Sequence, residues 1–397
     1  MLGACGTDKS RGGNVPGTTL TVFSSLPLQG PEAERAQSIL DAEKLALRQA
    51  GGKAGNFKVN FAFQDDSTAG GGKAGWNADK TAENARKAVQ NPRTIAYLGD
   101  LDSGASAVSI PITNEAGFAQ VSPGSTSVGL TKLVPGAEKG EPDKYYPGGD
   151  RTFVRVVPAD DVEASAAANW AKQLGEKKIF LLGDRTVEGD GLAELVRAAA
   201  QKVGLQVAGF DRADPRAKDY KDLASKVAKA SPDAVYFGGG VDSNALQLWN
   251  DLHAALPQAR LLGSHDLLVP EFYGRLGGAE ADTYLTSVAQ DPSQLPARGK
   301  RFVRDYRKAF GEQPDPFAAY GYTAMSLILD ALQRSGDDAT HRARVIDELF
   351  NTDSFASPVG TFAIDDNGDT SLNRVAGYRI KGGKPVFAAP LTGEPSG

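Results

Sequence analysis

The chain predicts an α/β fold of two lobes, each a parallel sheet with helices on both faces. Strand-like and helix-like stretches alternate from Thr18 to Leu98, the pattern of a parallel sheet crossed by helices. A loop rich in Pro, Gly and charge, Pro135 to Asp150, interrupts the alternation, which restarts at Thr152 and runs to Leu262. A length of 397 residues is sufficient for two such lobes.

Thr18–Ser24 alternates and is β-branched, which makes it the first strand. Ala36, Ile39, Leu40, Leu45 and Leu47 follow at helical spacing between Pro31 and Ala50, and Gly51-Gly52 ends that helix. Phe57–Phe63 alternates again, a polar glycine-rich loop leads to a helix over Asp79–Gln90, and Thr94–Leu98 reads as a short buried strand. In the second half Thr152–Val157 is extended, Asp160–Leu174 helical and Lys178–Leu182 a strand. Helices over Gly189–Val203, Tyr220–Lys229 and Asn244–Leu256 then alternate with strands at Leu205–Ala208, Ala234–Phe237 and Arg260–Leu262. Beyond Thr283–Val288, three helices are expected near Pro296–Phe310, Pro316–Arg334 and Thr340–Phe350. The tail is β again, at Gly360–Ile364, Arg374–Ile380 and Pro385–Phe387. The oxygen-rich run Asp365–Asp369 reads as a hairpin turn, because a calcium loop needs glycine where Thr370 stands.

Composition narrows the function. Hydrophobic residues at 41% and charged residues at 23% are ordinary for a globular protein. A net charge of −5, with both signs mixed and no basic stripe, argues against a nucleic-acid partner. No apolar run approaches the roughly 18 residues of a membrane span. One cysteine, Cys5, and three scattered histidines leave no metal site and no cofactor to expect. Gly238-Gly239-Gly240 follow a strand as a dinucleotide loop would, but Ser243 replaces the third fingerprint glycine. The chain has no P-loop, G-x-S-x-G elbow or H-E-x-x-H, so an enzyme is the weaker reading.

The stretch Leu98–Thr131 carries the chemistry. It reads as two strand ends, Gly99–Ser106 and Ser122–Thr126, each opening into a helix start rich in glycine and hydroxyls. Helix N-termini leave N–H groups unpartnered and carry partial positive charge, so two of them after neighbouring strands form one anion site. A small carboxylate is the expected occupant. Ser103 and Thr126 also fit plain helix caps.

Several stretches, in one order over Thr18–Phe387, together resemble the leucine/isoleucine/valine-binding family of ABC transporter substrate-binding proteins, which has the type I periplasmic binding fold. They include Pro27–Gly30, Gln64-Asp65-Asp66, Gly99–Ser106, Val121–Thr126, Gly189–Leu192, Asp233–Gly239, Tyr320–Ala324 and Asn367-Gly368-Asp369. The resemblance implies two Rossmann-like lobes joined by a three-crossing hinge, closing over a ligand. Residues 18–153 with 288–357 would form lobe 1, and 154–287 with 358–397 lobe 2. Leu2-Gly3-Ala4-Cys5 resembles a bacterial lipobox. That likeness implies a lipid anchor at Cys5 on the extracytoplasmic side, with residues 1–17 a flexible tether; a chance cysteine in a disordered tail is the alternative.

By the same resemblance, Ser103, Gly124 and Thr126 hold the ligand's α-carboxylate, with Asp102 and Ser125 beside them. On the other lobe this chain departs from the family. Glu188 and Gly240 stand where tyrosines are usual, and His265 and Asp266 are the candidates for the acid that accepts the α-ammonium; in lobe 1, Glu34 is the match near Gly30. Extra acids and missing aromatic walls favour a polar, even cationic, ligand, although solvated rim charges are an equal reading. The expectation is a monomeric binding protein that delivers an amino acid or related carboxylate to ABC transporter membrane subunits. A stand-alone sensor of the same fold is the alternative.

Overall fold

A computed structural model of the protein describes residues 12–68, 75–134 and 137–395; Cys5 and the lipobox-like run lie outside them. The chain divides into two compact units. Unit 1 gathers the described residues up to Ser125, then Pro142–Val156 and Pro296–Ser371; unit 2 gathers Thr126–Glu141, Val157–Leu295 and the residues from Leu372 on.

The elements follow in chain order. First come β1 (Thr19–Leu26), α1 (Ala33–Gln49), β2 (Lys53–Ala54), β3 (Phe57–Asp65), α2 (Ala78–Gln90), β4 (Thr94–Leu98), α3 (Ser103–Glu115), β5 (Ala119–Ser122) and β6 (Phe153–Arg155). Next are α4 (Asp160–Gln173), β7 (Lys178–Gly183), α5 (Val187–Lys202), β8 (Gln206–Arg212), α6 (Lys221–Lys229), β9 (Ala234–Phe237), α7 (Ala245–Ala255), β10 (Arg260–Gly263), α8 (Pro270–Tyr273) and β11 (Thr283–Ser287). The last are α9 (Ala297–Phe310), α10 (Ala318–Ser335), α11 (Arg342–Phe350), β12 (Phe355–Ser357), β13 (Gly360–Phe362), β14 (Arg374–Ile380) and β15 (Pro385–Thr392).

Unit 1 has a six-stranded sheet, order β2-β3-β1-β4-β5-β6, parallel except for β2. Every residue of β1 after Thr19 is buried, the apolar run of a strand covered on both faces. Helix α1 buries Ala36, Ile39, Leu40 and Leu45, the face its spacing predicts. Gly321 of α10 lets Ile39 approach closely, because a Cβ there would lie 2.7 Å from Ile39 Cγ2. Unit 2 has a seven-stranded sheet, order β15-β14-β11-β10-β9-β7-β8, with β14 and β15 antiparallel and the rest parallel. Two apolar clusters form its core, one around Trp170 and Val196, the other around Phe237, Trp249 and Phe272.

The expected boundaries shift for physical reasons. Residues 154–156 stay in unit 1, because β6 pairs with β5. Residues 358–371 belong there too. β13 pairs with β12, and Asp369 accepts a 2.8 Å hydrogen bond from Nε of the fully buried Arg155. Arg155 Nη1 also donates to the Ser125 carbonyl at 2.9 Å, so one guanidinium ties all three segments of unit 1. Residues 288–295 join unit 2, where Tyr378 donates to Asp291. Residues 126–141 join unit 2 as well, and Asp160 N–H donates to the Thr126 carbonyl at 2.9 Å. Residues 12–17 are not a tether. Val15 is buried, its N–H donates to the Thr340 carbonyl, and Arg342 donates to the Gly12 carbonyl.

Candidate ligand-binding faces

In open α/β sheets, polar groups converge beyond the carboxyl ends of the strands, where the strand order reverses. In unit 1 that point lies between β1 and β4. The loop Gly99–Asp102 leaves β4, and Ser103 is the first residue of α3, half-buried, with Asp102 at the cap position. The amides of the first turn therefore stand beside a hydroxyl.

The second strand end differs from expectation. After Ser122 no α-helix begins; the chain makes a short 3-10 turn at Val128–Leu130. Ser122 Oγ accepts from the N–H groups of Gly124 at 3.2 Å and Ser125 at 2.8 Å, so those amides are committed within the loop. Ser125 Oγ bonds the Asp100 and Asp102 carbonyls and Ser106 Oγ, which stitches the loop to the start of α3. Gly124 is glycine because Leu101 lies where its Cβ would be, with Leu101 Cδ1 at 2.4 Å. The structure thus brings Asp102, Ser103, Gly124 and Ser125 together on unit 1, whereas Thr126 falls in unit 2. Glu34 is exposed in the first turn of α1. Trp76, which the sequence reading passed over, packs against Gly104 at the start of α3.

Behind this loop lie two wholly buried acids. Asp100 accepts from Tyr97 Oη at 2.9 Å and Ser109 Oγ at 2.5 Å, and Asp66 accepts from Ser25 Oγ at 3.1 Å. Burial pushes both carboxyls up, and the charge of Asp100 pushes Asp66 further.

In unit 2 the order reverses between β7 and β9. The loop after β7 is built around Asp184, which accepts from Thr186 Oγ1 and Ser243 Oγ, each at 2.5 Å. Thr186 caps α5, whose first turn carries Glu188. Gly239 and Gly240 follow β9; a Cβ on Gly239 would strike Asp184, and one on Gly240 would touch Asp266. His265 and Asp266 follow β10.

Glu163 of α4 is the anchor that sequence reasoning missed. It is fully buried and receives three donors: His265 N–H at 3.2 Å, His265 Nδ1 at 2.7 Å and Thr286 Oγ1 at 2.7 Å. Burial opposes the charge on Glu163, yet the His265 charge and these bonds hold its carboxyl below the usual range. Burial would likewise lower His265, but Glu163 and then Asp266 raise it to about 10. His265 is therefore an internal cation between Glu163 and Asp266, with Nε2 3.5 Å from Asp266 Oδ1. Asp160, at the first position of α4, rises to about 7 through burial, with Glu163 and Asp266 adding to the rise. Glu188 is exposed as a residue, yet desolvation of its carboxyl and then the charges of Asp266, Asp160 and Asp184 raise it to about 7. Glu188, Gly240, His265 and Asp266 thus share one acidic face. In the sequence, Asp160-Asp161-x-Glu163 looks like ordinary acidic decoration of a helix start.

Each of the two units is doubly wound and presents polar groups at the ends of its parallel strands. The chain belongs to the periplasmic binding protein family, whose model matches residues 21–384. The resemblance to its leucine/isoleucine/valine-binding branch is borne out. The Leu/Ile/Val-binding protein homolog 3 of Brucella melitensis biotype 1 is 28% identical over 92% of this chain and 93% of its own length. The leucine-, isoleucine-, valine-, threonine- and alanine-binding protein of Pseudomonas aeruginosa is 24% identical over 88% of this chain and 87% of its own. The fold matches the leucine binding protein LivK of Thermotoga maritima with a TM-score of 0.75 at 22% identity, covering 94% of this chain and 99% of that one. It also matches a solute binding protein from R. palustris in complex with benzoate, with a TM-score of 0.71 at 20% identity, covering 95% and 98%.

Proposed function

We propose that the protein is the extracytoplasmic substrate-binding component of an ABC importer and that it traps a small amino-acid-like carboxylate by hinge closure of its two lobes. It acts as a monomer, handing the ligand to the transporter's membrane subunits. The observation that supports this most is the start of α3, which has no side-chain cap hydrogen bond and carries Ser103 as its first residue. Charge-assisted hydrogen bonds of this kind contribute about 1.5–3 kcal/mol each when dry. Ser103 meets the carboxylate, with Thr126 the family-based candidate tested beside it; Gly124 contributes close packing rather than its amide, which Ser122 already holds. Family membership, with relatives named as amino-acid-binding proteins, supports the same reading.

A thermal-shift panel of amino acids and small carboxylates tests it. A ligand at about 100 times its Kd adds roughly 2.7 kcal/mol of stability. Ser103→Ala combined with Thr126→Ala is expected to abolish that shift; a shift kept by the double variant, or none from any carboxylate, sinks the proposal. Lipid attachment at Cys5 would hold the protein on the outer side of the membrane. Cys5→Ser is then expected to release it into the soluble fraction.

A further inference from the structure

The acidic face of unit 2 holds more negative charge than one α-ammonium needs. Glu163 is already balanced by His265, and Asp184 is held by Thr186 and Ser243. Asp160, Glu188 and Asp266 remain without a cation of their own: Asp160 takes the Thr126 hydroxyl, Asp266 takes the Ser264 hydroxyl, and His265, shared with Glu163, is the cation that acts on Asp160 and Glu188. Two further observations point to an occupant. The hydroxyl of Tyr236 is fully buried and has no hydrogen-bond partner among the described residues, yet it lies in the field of Glu163, Asp160 and Asp266. A buried hydroxyl left in that state costs stability unless a ligand group completes it. Asp160 and Glu188 also line, with Glu141, Ser127 and Gly129, a cavity of about 30 Å³. That volume suits one water-sized group, such as a primary ammonium, and is too small for a planar guanidinium.

We infer that the ligand carries a second positive charge, a primary ammonium on its side chain, which Asp160 and Glu188 receive. The inference rests on the amino-acid reading above and narrows it to diamino carboxylates of the lysine and ornithine class. Asp160 and Glu188 rise to about 7 each with His265 as the cation that acts on them, and with Glu163, Asp184, Asp266 and the cavity residue Glu141 as their acidic neighbours. A bound ammonium favours their charged forms, so binding releases protons.

Calorimetric titration of the full chain with lysine, ornithine, arginine and leucine separates the two ideas. Lysine or ornithine is expected to bind at least tenfold more tightly than leucine and arginine, with an enthalpy that depends on buffer ionisation. Glu188→Gln is expected to lower the lysine-to-leucine affinity ratio by on the order of tenfold, the worth of one charge-assisted bond. The ligand-free melting temperature of the variant checks that it folds. Leucine binding more tightly than lysine, or a ratio unchanged in Glu188→Gln, overturns this inference and leaves the amino-acid reading standing. Binding of none of the four overturns this inference, and the carboxylate panel above then decides the broader reading.

Discussion

In unit 1 the loops that leave β4 and β5 carry hydroxyls and glycines, and the acids behind them, Asp66 and Asp100, are met by the neutral donors Ser25, Tyr97 and Ser109. In unit 2 the loops that leave β7 and β10, with the start of α4, carry Glu188, Asp266, Asp160 and Glu163 around a single imidazole. The two sheets reverse their strand order in the same manner, so topology gathers polar groups at equivalent places. The residue types then differ: the unit 1 loops present hydroxyls and glycines, whereas the unit 2 face presents carboxylates around His265. On the proposed reading the first meets the ligand's anionic end and the second its cationic end.

Breaking the unit 2 arrangement at its anchor has the largest expected effect. Glu163→Ala leaves the His265 charge buried without its partner and is expected to cost about 3–5 kcal/mol, read as a lowered denaturation midpoint. The pH dependence of the pair follows from its shifts. His265 is raised, so its contribution is complete below its ordinary value near 6.5 and fades as pH climbs toward about 10. Glu163 is lowered, so its contribution is lost as pH falls below the usual carboxylate range. Differential melts of wild type and Glu163→Ala should therefore converge at both extremes; a constant gap would show that packing, not charge, sets the loss.

A smaller effect tests unit 1. Gly124→Ala drives a methyl into Leu101 and is expected to cost about 1–3 kcal/mol and weaken carboxylate binding, measured by melting and titration. The raised acids of unit 1 should respond oppositely to Glu163. Asp66 and Asp100 are raised to about 8 and about 7, so the folded state holds protons that the unfolded chain releases near pH 4, and stability falls as pH rises through neutrality. Asp66→Asn is accordingly expected to raise the melting temperature at pH 9 by about 2–4 °C per kcal/mol recovered, with the gain vanishing by pH 5. Glu34→Ala, on an exposed helix turn, should change stability by less than about 0.5 kcal/mol.

Most of the fold is legible because burial repeats local patterns. The alternation of Phe57–Phe63 and the spacing of Ile39, Leu40 and Leu45 suffice to place β3 and α1. What stays hidden depends on partners distant in sequence. Ser122–Thr126 reads as a helix start, and nothing local reveals that Ser122 spends the following amides in its own turn. The unit boundary near Ser371 rests on Arg155 finding Asp369, across 214 residues. Glu163 looks like a dipole-stabilising acid until β10 and β11 deliver His265 and Thr286 to it. The acidic face itself is half legible: Glu188 and Asp266 stand at positions the family resemblance singles out, whereas Asp160 reads only as the acidic start of a helix.

The buried Arg155 also sets an order of events. Its three partners belong to chain segments that leave the ribosome far apart in time, the last at Asp369 and Gly368. Unit 1 therefore cannot complete the hydrogen bonds of that guanidinium until the segment carrying Asp369 has been made. Unit 2, whose parallel strands β7 to β11 lie in one uninterrupted stretch, has no such wait for its central sheet. The part of unit 1 that precedes Val157 thus stays unfinished while the unit 2 residues Val157–Leu295 are being made.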